Sequence, residues 1–349
     1  MFTASFGFSF AWFTISFSFP LLAVRLGYPY IVVGFLGFLG SLAFPIVASI
    51  YLKAKRMALQ LGSTLPNLAL AALALVLYFK GYEVFLPVAI AAALVQAFWW
   101  ISTEISLPLL DTSMGPERYS AGWGIPNAIA PLIAGFIIEY YGFRPLFIIS
   151  AVIFIVAVFF NPRVVKLDKL SFDGKISVIY ALSIFFAGLF SGFIYFVLEP
   201  ILKLAGISYG EVGILVSIYG IVAAVGYIAL NYVHNYSIRS FSIASSILIF
   251  PTFFLGFSIS LYFLLPVIVL AGLGVSISMT KVLTYLTANT SPRKAIFAYE
   301  TTFGAGFMAG SLGVSALVQY FGIISLSAVF ILPLGYSLLL IIRWIIRAV

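Results

Sequence analysis

Apolar runs long enough to cross a bilayer follow one another along nearly the whole of this 349-residue chain, separated by short turns that hold most of its few charges. Stretches such as Leu68–Phe79 and Leu261–Leu273 contain no charged residue. A hydrocarbon core of roughly 30 Å needs about 20 such residues per crossing, and a chain crossing it must pair its own backbone groups, which means helices. With 63% hydrophobic and 8% charged residues, no water-soluble globule could cover its apolar surface. An outer-membrane barrel would show short segments of alternating polarity, whereas these runs are continuous. The class expected is an all-α integral membrane protein.

Charges and Gly/Pro clusters place spans near 2–23, 30–52, 57–79, 84–110, 118–141, 145–161, 176–203, 209–233, 238–258, 261–288, 294–320 and 324–347. The first segment, Phe2 to Val24, lacks the basic leader and small-residue cleavage site of a signal peptide and is long enough to span. The most polar connector, Asn161 to Lys175, separates six helices from six. The expected division is an N-terminal bundle over 1–161, a connector over 162–175 and a C-terminal bundle over 176–349. Turns after even-numbered helices, with the C-terminus, hold thirteen Lys and Arg residues, and turns after odd-numbered helices hold four. Cytoplasmic loops carry the positive excess, so both termini and the connector are expected in the cytoplasm of a multi-pass protein in the cell's inner or plasma membrane.

Several chemistries drop out. Without cysteine there is no disulfide framework and no thiolate ligand, and the single His234 has no carboxylate neighbours to share a metal. The net charge of +8 is scattered through short loops, which is no nucleic-acid footprint. Glycines such as Gly34, Gly213, Gly306 and Gly310 lie in apolar helices with no strand before them and no Gly-Lys-Ser/Thr ending, so helix packing explains them and no phosphate loop is present. Neither cofactor nor metal is read from the sequence. A membrane enzyme would need clustered carboxylates or a His-Glu-x-x-His element, while the ten acids here stand singly.

An internal repeat is visible. Gly27, Tyr30, Val33 and Gly34 recur as Gly206, Tyr209, Val212 and Gly213, 179 residues later. Pro20 and Pro200, and Glu139-Tyr-Tyr-Gly142 and Gln319-Tyr-Phe-Gly322, match at an offset of 180. Pro116-Glu-Arg before helix 5 resembles Pro292-Arg-Lys before helix 11. Four matches in one order at nearly one offset point to duplication, and two parallel six-helix repeats suit a transporter with its site between them.

On these residues the chain resembles the major facilitator superfamily of secondary transporters over essentially its full length. LGYPYIVVGFLGFLGSLAFPIVA looks like the start of that family's helix 2, and ERYSAGWGIPNAIAPLIAGFIIEYYGFRPLF looks like its helix 5 and the turn into helix 6. Ala130-Pro131-Leu132-Ile133-Ala134-Gly135 is similar to the core of the family's antiporter motif, which tilts the expectation toward proton-driven export. The loop after helix 2 keeps Lys53, Lys55 and Arg56 of the family's gating signature and has no acidic residue. In the fold so resembled, helices 1, 4, 7 and 10 line a central cavity.

An ionisable residue inside a membrane costs roughly 3 kcal/mol or more and is a functional-site hypothesis by default. Glu104 and Lys281 lie about 20 residues into helices 4 and 10, at about 1.5 Å per residue a similar depth. Two readings stand: a charge pair that closes the cytoplasmic side, or long side chains reaching the interface. Polar stripes run along helix 1 (Ser5, Ser9, Trp12, Ser16), helix 4 (Gln96, Trp100, Glu104), helix 7 (Ser183, Ser191, Tyr195, Glu199) and helix 10 (Gly274, Ser278, Lys281, Tyr285). Each fits a translocation path, and each serine alone fits interhelical packing equally well. Glu199 is a second proton-carrier position, or an interfacial acid. Glu300 ranks third, below Glu199, either as a proton-carrier position or as an acid paired with nearby Arg293 or Lys294. The function expected is a secondary transporter of a small, unidentified solute, coupled to protons or another ion, with a receptor or channel as the rival.

Overall fold

The computed structural model describes residues 2–51, 56–106, 115–161, 178–230, 232–233, 237–282, 284–286 and 292–348. Long apolar helices form throughout because each sequence run lacks interior breakers strong enough to stop it. The first six are α1 (Phe2–Arg25), α2 (Tyr30–Tyr51), α3 (Arg56–Lys80), α4 (Phe85–Ser106), α5 (Gly115–Tyr141) and α6 (Arg144–Val158). Prolines inside α1, α2, α3 and α5 are tolerated in helices that neighbours surround.

The second six are less regular. Helix α7 starts as Val178–Phe193, passes through a π turn at Ile194–Leu198 and ends as Glu199–Leu204. Helix α8 is Tyr209–Leu230, and α9 is Ile238–Ile249 continued by a 3₁₀ segment, Phe250–Gly256. Helix α10 runs Leu261–Ile277 into a π turn at Ser278–Val282, and α11 runs Pro292–Met308, then a π turn at Ala309–Gly313, then Val314–Phe321. Helix α12 comprises Ser325–Phe330 and Leu332–Ala348.

Eleven of these are long and apolar enough to cross a membrane. The exception is α6, which is 15 residues long where the sequence placed a span over 145–161. Large apolar side chains such as Phe79, Phe159, Tyr262 and Trp344 face outward, the pattern of a lipid-facing surface. Connector residues 162–175, His234 and the basic pair Lys53 and Lys55 lie outside the described residues, and Arg56 begins α3.

Two helix pairs dominate the contact between the first six helices and the second six: α5 with α8, and α2 with α11. Glycines set both. A Cβ on Gly135 would lie 2.6 Å from the Tyr209 carbonyl oxygen, and one on Gly213 would lie 2.5 Å from that of Pro131. Only residues without side chains let the backbones approach so closely. On the other side of the molecule a Cβ on Gly37 would meet the Ser311 side chain at 2.6 Å, and Gly34 faces the same turn of α11. The repeated glycines Gly34 and Gly213 thus occupy related positions, each where one half touches the other.

The turns repeat the pattern. Gly27 and Gly206 have φ of 80° and 87°, and Gly142 and Gly322 have 77° and 73°. All of these turns, with Gly81, lie at one end of the helices. The start of α1 at Phe2 and the end of α12 at Ala348 belong to the opposite end, called here the termini end.

Candidate functional site

Polar side chains that face the junction between the two halves form a column along helices α4, α5, α7, α8 and α11. Nearest the termini end is a pair of acids. Glu104, in the last turn of α4, and Glu300, eight residues into α11, join through a hydrogen bond between their carboxyl groups. Glu300 is 4% exposed and Glu104 half-buried. Two carboxylates accept and cannot donate, so this bond requires a proton on one of them. Hydrophobic packing closes the junction beside the pair: Ile296 of α11 sits among Ala43, Val47 and Ala48 of α2 and Ala97, Ile101 and Ile105 of α4.

Above the acids stand four tyrosines. Tyr299 precedes Glu300 and is in electrostatic range of Glu104, Tyr227 and Tyr219. The Tyr227 hydroxyl donates to the Met279 sulfur at 3.1 Å, and its ring lies 4.9 Å from that of Trp123 in α5. Tyr219 shares a 3.2 Å hydrogen bond with Ser191, and its ring lies 6.0 Å from Tyr195. The Tyr195 hydroxyl donates to Asn127 Oδ1 of α5 at 2.6 Å, a second side-chain link between the halves. At the far end of the column lies Glu199, fully buried, with neither carboxyl oxygen hydrogen-bonded among the described residues.

Lys281 does not meet Glu104 here. Its ammonium donates to the Val233 carbonyl oxygen at 2.6 Å, just beyond α8, and lies 5.4 Å from the Phe241 ring. A cation belongs at such a helix C-terminus. The stripe points this way before the π turn at Ser278–Val282 begins, since a Cβ on Gly274 would lie 2.6 Å from the Ser245 carbonyl oxygen of α9. Ser278 of the same stripe bonds Ser245 of α9 at 2.6 Å and the Ser183 carbonyl of α7 at 3.0 Å. That stripe therefore binds neighbouring helices together.

The remaining predicted residues divide between packing and the junction. Gln96 is 4% exposed and turns its amide toward the carbonyls of Ala93 (3.3 Å) and Gly40 (3.5 Å), within the first half. Trp100 is buried edge-on against Phe8 and Trp99, at 5.5 and 5.2 Å. Trp12 and Tyr285 are half-buried and pack on the core. The sequence reading missed Asn127, Tyr219, Tyr227 and Tyr299. The only local signal was Asn127 between Pro126 and Pro131 in an otherwise apolar helix.

No protein-family profile and no curated protein matches the sequence. Comparison with solved structures gives a match to the crystal structure of the human organic anion transporter MFSD10 (TETRAN), with a TM-score of 0.69 over 96% of this chain and 98% of that one at 15% identity. The chain therefore has the major-facilitator fold. At that identity the likeness speaks for the fold alone.

Proposed function

We propose that this protein is a secondary active transporter that moves a small solute by alternating access between its two six-helix halves, and that closure of the termini end is coupled to a proton shared by Glu104 and Glu300. The carrying observation is that carboxyl pair, one member from each half. While the end is closed the pair holds one proton. When the halves part, each carboxyl meets water and the shared proton is released to that side. If the pair is loaded through the junction while the opposite side is open and the termini end is closed, release to the termini side carries one proton across per cycle, and a solute gradient can be exchanged for a proton gradient with no nucleotide and no covalent step.

The half-buried aromatics Trp12, Tyr195 and Tyr285 are the solute contacts in this reading, with Gln96 and Trp100 holding α4 in place behind them. Export is the favoured direction, because the antiporter-like segment Ala130–Gly135 is the part of α5 pressed against α8. The positive excess puts the termini end in the cytoplasm.

The test is uptake into proteoliposomes, with and without an imposed pH gradient, across small organic anions, cations, sugars and zwitterions. Accumulation that follows the pH gradient and collapses with a protonophore supports the proposal. A solute that binds the purified protein yet never crosses under any gradient overturns it in favour of a receptor, and flux that never exceeds equilibrium points to a channel.

A further inference from the structure

The acid at the other end of the column has a counterpart in the repeat. Pro20 and Pro200 are 180 residues apart, so the position equivalent to Glu199 in the first half is Phe19. Phe19 is 3% exposed, an ordinary core residue. The fold is thus satisfied by an apolar side chain at this place, and the second half puts a carboxyl there.

Among the described residues neither of its oxygens has a hydrogen-bond partner. Several titratable groups at this end are engaged elsewhere. Arg25 of α1 lies over the Phe143 ring at 5.6 Å, and Lys203 lies over the Tyr209 ring at 3.9 Å while donating to the Ile207 carbonyl. Glu139 accepts the Tyr209 backbone N–H, and Glu211 accepts that of Ser208. Tyr195, one turn earlier, gives its hydroxyl to Asn127, and Tyr219 of α8 is bound to Ser191. An ionised carboxylate stripped of water and of every partner is strongly disfavoured, so the closed form holds Glu199 as the neutral acid. The Glu199–Leu204 segment packs against α1, a contact between the halves. The π turn and Pro200 that flank it mark the helix as irregular at this point.

We infer that Glu199 is a second proton site, at the opposite gate: closing that end takes up one proton from the solution it faces, and opening it returns the proton to water. In the orientation proposed above that solution is the external one, so external acid favours a closed outer side. This inference rests on the alternating-access reading but not on the Glu104–Glu300 pair.

Because the chain has no cysteine, single pairs can be introduced cleanly. Leu26 and Leu204 are exposed, at the ends of α1 and α7. Spin labels there, in the full-length protein in nanodiscs, should separate as pH is raised in the wild type. In Glu199→Gln, and in Glu199→Phe, which copies the other repeat, the labels should stay close at every pH. Infrared spectra of the wild type should contain a protonated-carboxyl component that Glu199→Gln removes and Glu104→Gln leaves in place. A second pair at Met57 and Ile346, at the termini end, should respond to pH in Glu199→Gln as in the wild type. The inference is overturned if Glu199→Gln follows the wild-type curve at Leu26–Leu204 or leaves the wild-type protonated-carboxyl absorption undiminished. If Glu104→Gln alone flattens both label pairs, Glu199 has no separate role and the inference fails while the coupling proposal stands.

Discussion

The carboxylate of Glu139, in the last turn of α5, accepts the backbone N–H of Tyr209, the first residue of α8, at 2.8 Å. One repeat later Gln319, near the end of α11, accepts the N–H of Ile31 at the start of α2 at 3.0 Å. Each side chain satisfies an amide that the first turn of a helix leaves unpaired, and each does so across the two halves. Together they are a two-fold latch on the end opposite the termini. The charged bond is worth about 1.5–3 kcal/mol and the neutral one about 1. We expect Glu139→Ala with Gln319→Ala to lengthen the Leu26–Leu204 label distance more than either single change, and Glu139→Gln, which keeps an acceptor, to stay near the wild type. Unchanged distances in the double variant would remove the latch.

The close approach of α5 and α8 makes a sharper demand on one atom. A methyl at Gly213 would press on the Pro131 carbonyl oxygen, whereas one at Gly313 would meet nothing within 4 Å. Gly213→Ala should therefore destabilise by about 1–3 kcal/mol as α5 and α8 are forced apart. Gly313→Ala should stay within about 0.5 kcal/mol of the wild type. Apparent melting temperatures in detergent distinguish the two, and equal values would mean that the contact is not close-packed.

Much of this was legible from one dimension. Run length and the scarcity of charge gave a bundle of membrane helices, and the repeated Gly-x-x-Tyr-x-x-Val-Gly element pointed to the paired junction at which Gly34 and Gly213 sit. The acids were identified singly, and their partners were not. For Glu300 the sequence offered local cations as the alternative to a coupling role, because a sequence shows neighbours on one helix, whereas its carboxyl bonds Glu104, almost 200 positions away on a helix that only the packing of two halves brings near. For Lys281 the spacing showed that Gly274, Ser278 and Lys281 share a face, but not which neighbour that face meets, and Ser278 bonds α9 and α7. The tyrosine column was hidden because buried tyrosines on separate helices look like any other aromatic content.

Topology follows from the distribution of Lys and Arg. Single cysteines replacing Glu83 and Ala348 should react with impermeant maleimide from opposite sides, Ala348→Cys from the cytoplasm and Glu83→Cys from outside. Labelling of both from one side would break the helix count.

Tyr195 and Asn127 form a side-chain bridge that can be isolated by a double-mutant cycle. Tyr195→Phe and Asn127→Ala should each lower stability by about 1 kcal/mol, and the double variant should lose less than their sum, because each single change leaves a buried polar group unpaired. Additive losses would show that the two groups act independently.

The central claim is that a proton shared by Glu104 and Glu300 holds the termini end closed. A closed form that binds one more proton than the open form loses its advantage as pH rises. The Met57–Ile346 label distance in the wild type should therefore be short at low pH and lengthen as pH is raised. In Glu104→Gln and in Glu300→Gln an amide donates to the remaining carboxylate without a titrating proton, so the distance should stay short and flat across pH. A wild-type distance that ignores pH, or single variants that keep the full wild-type response, would contradict the account.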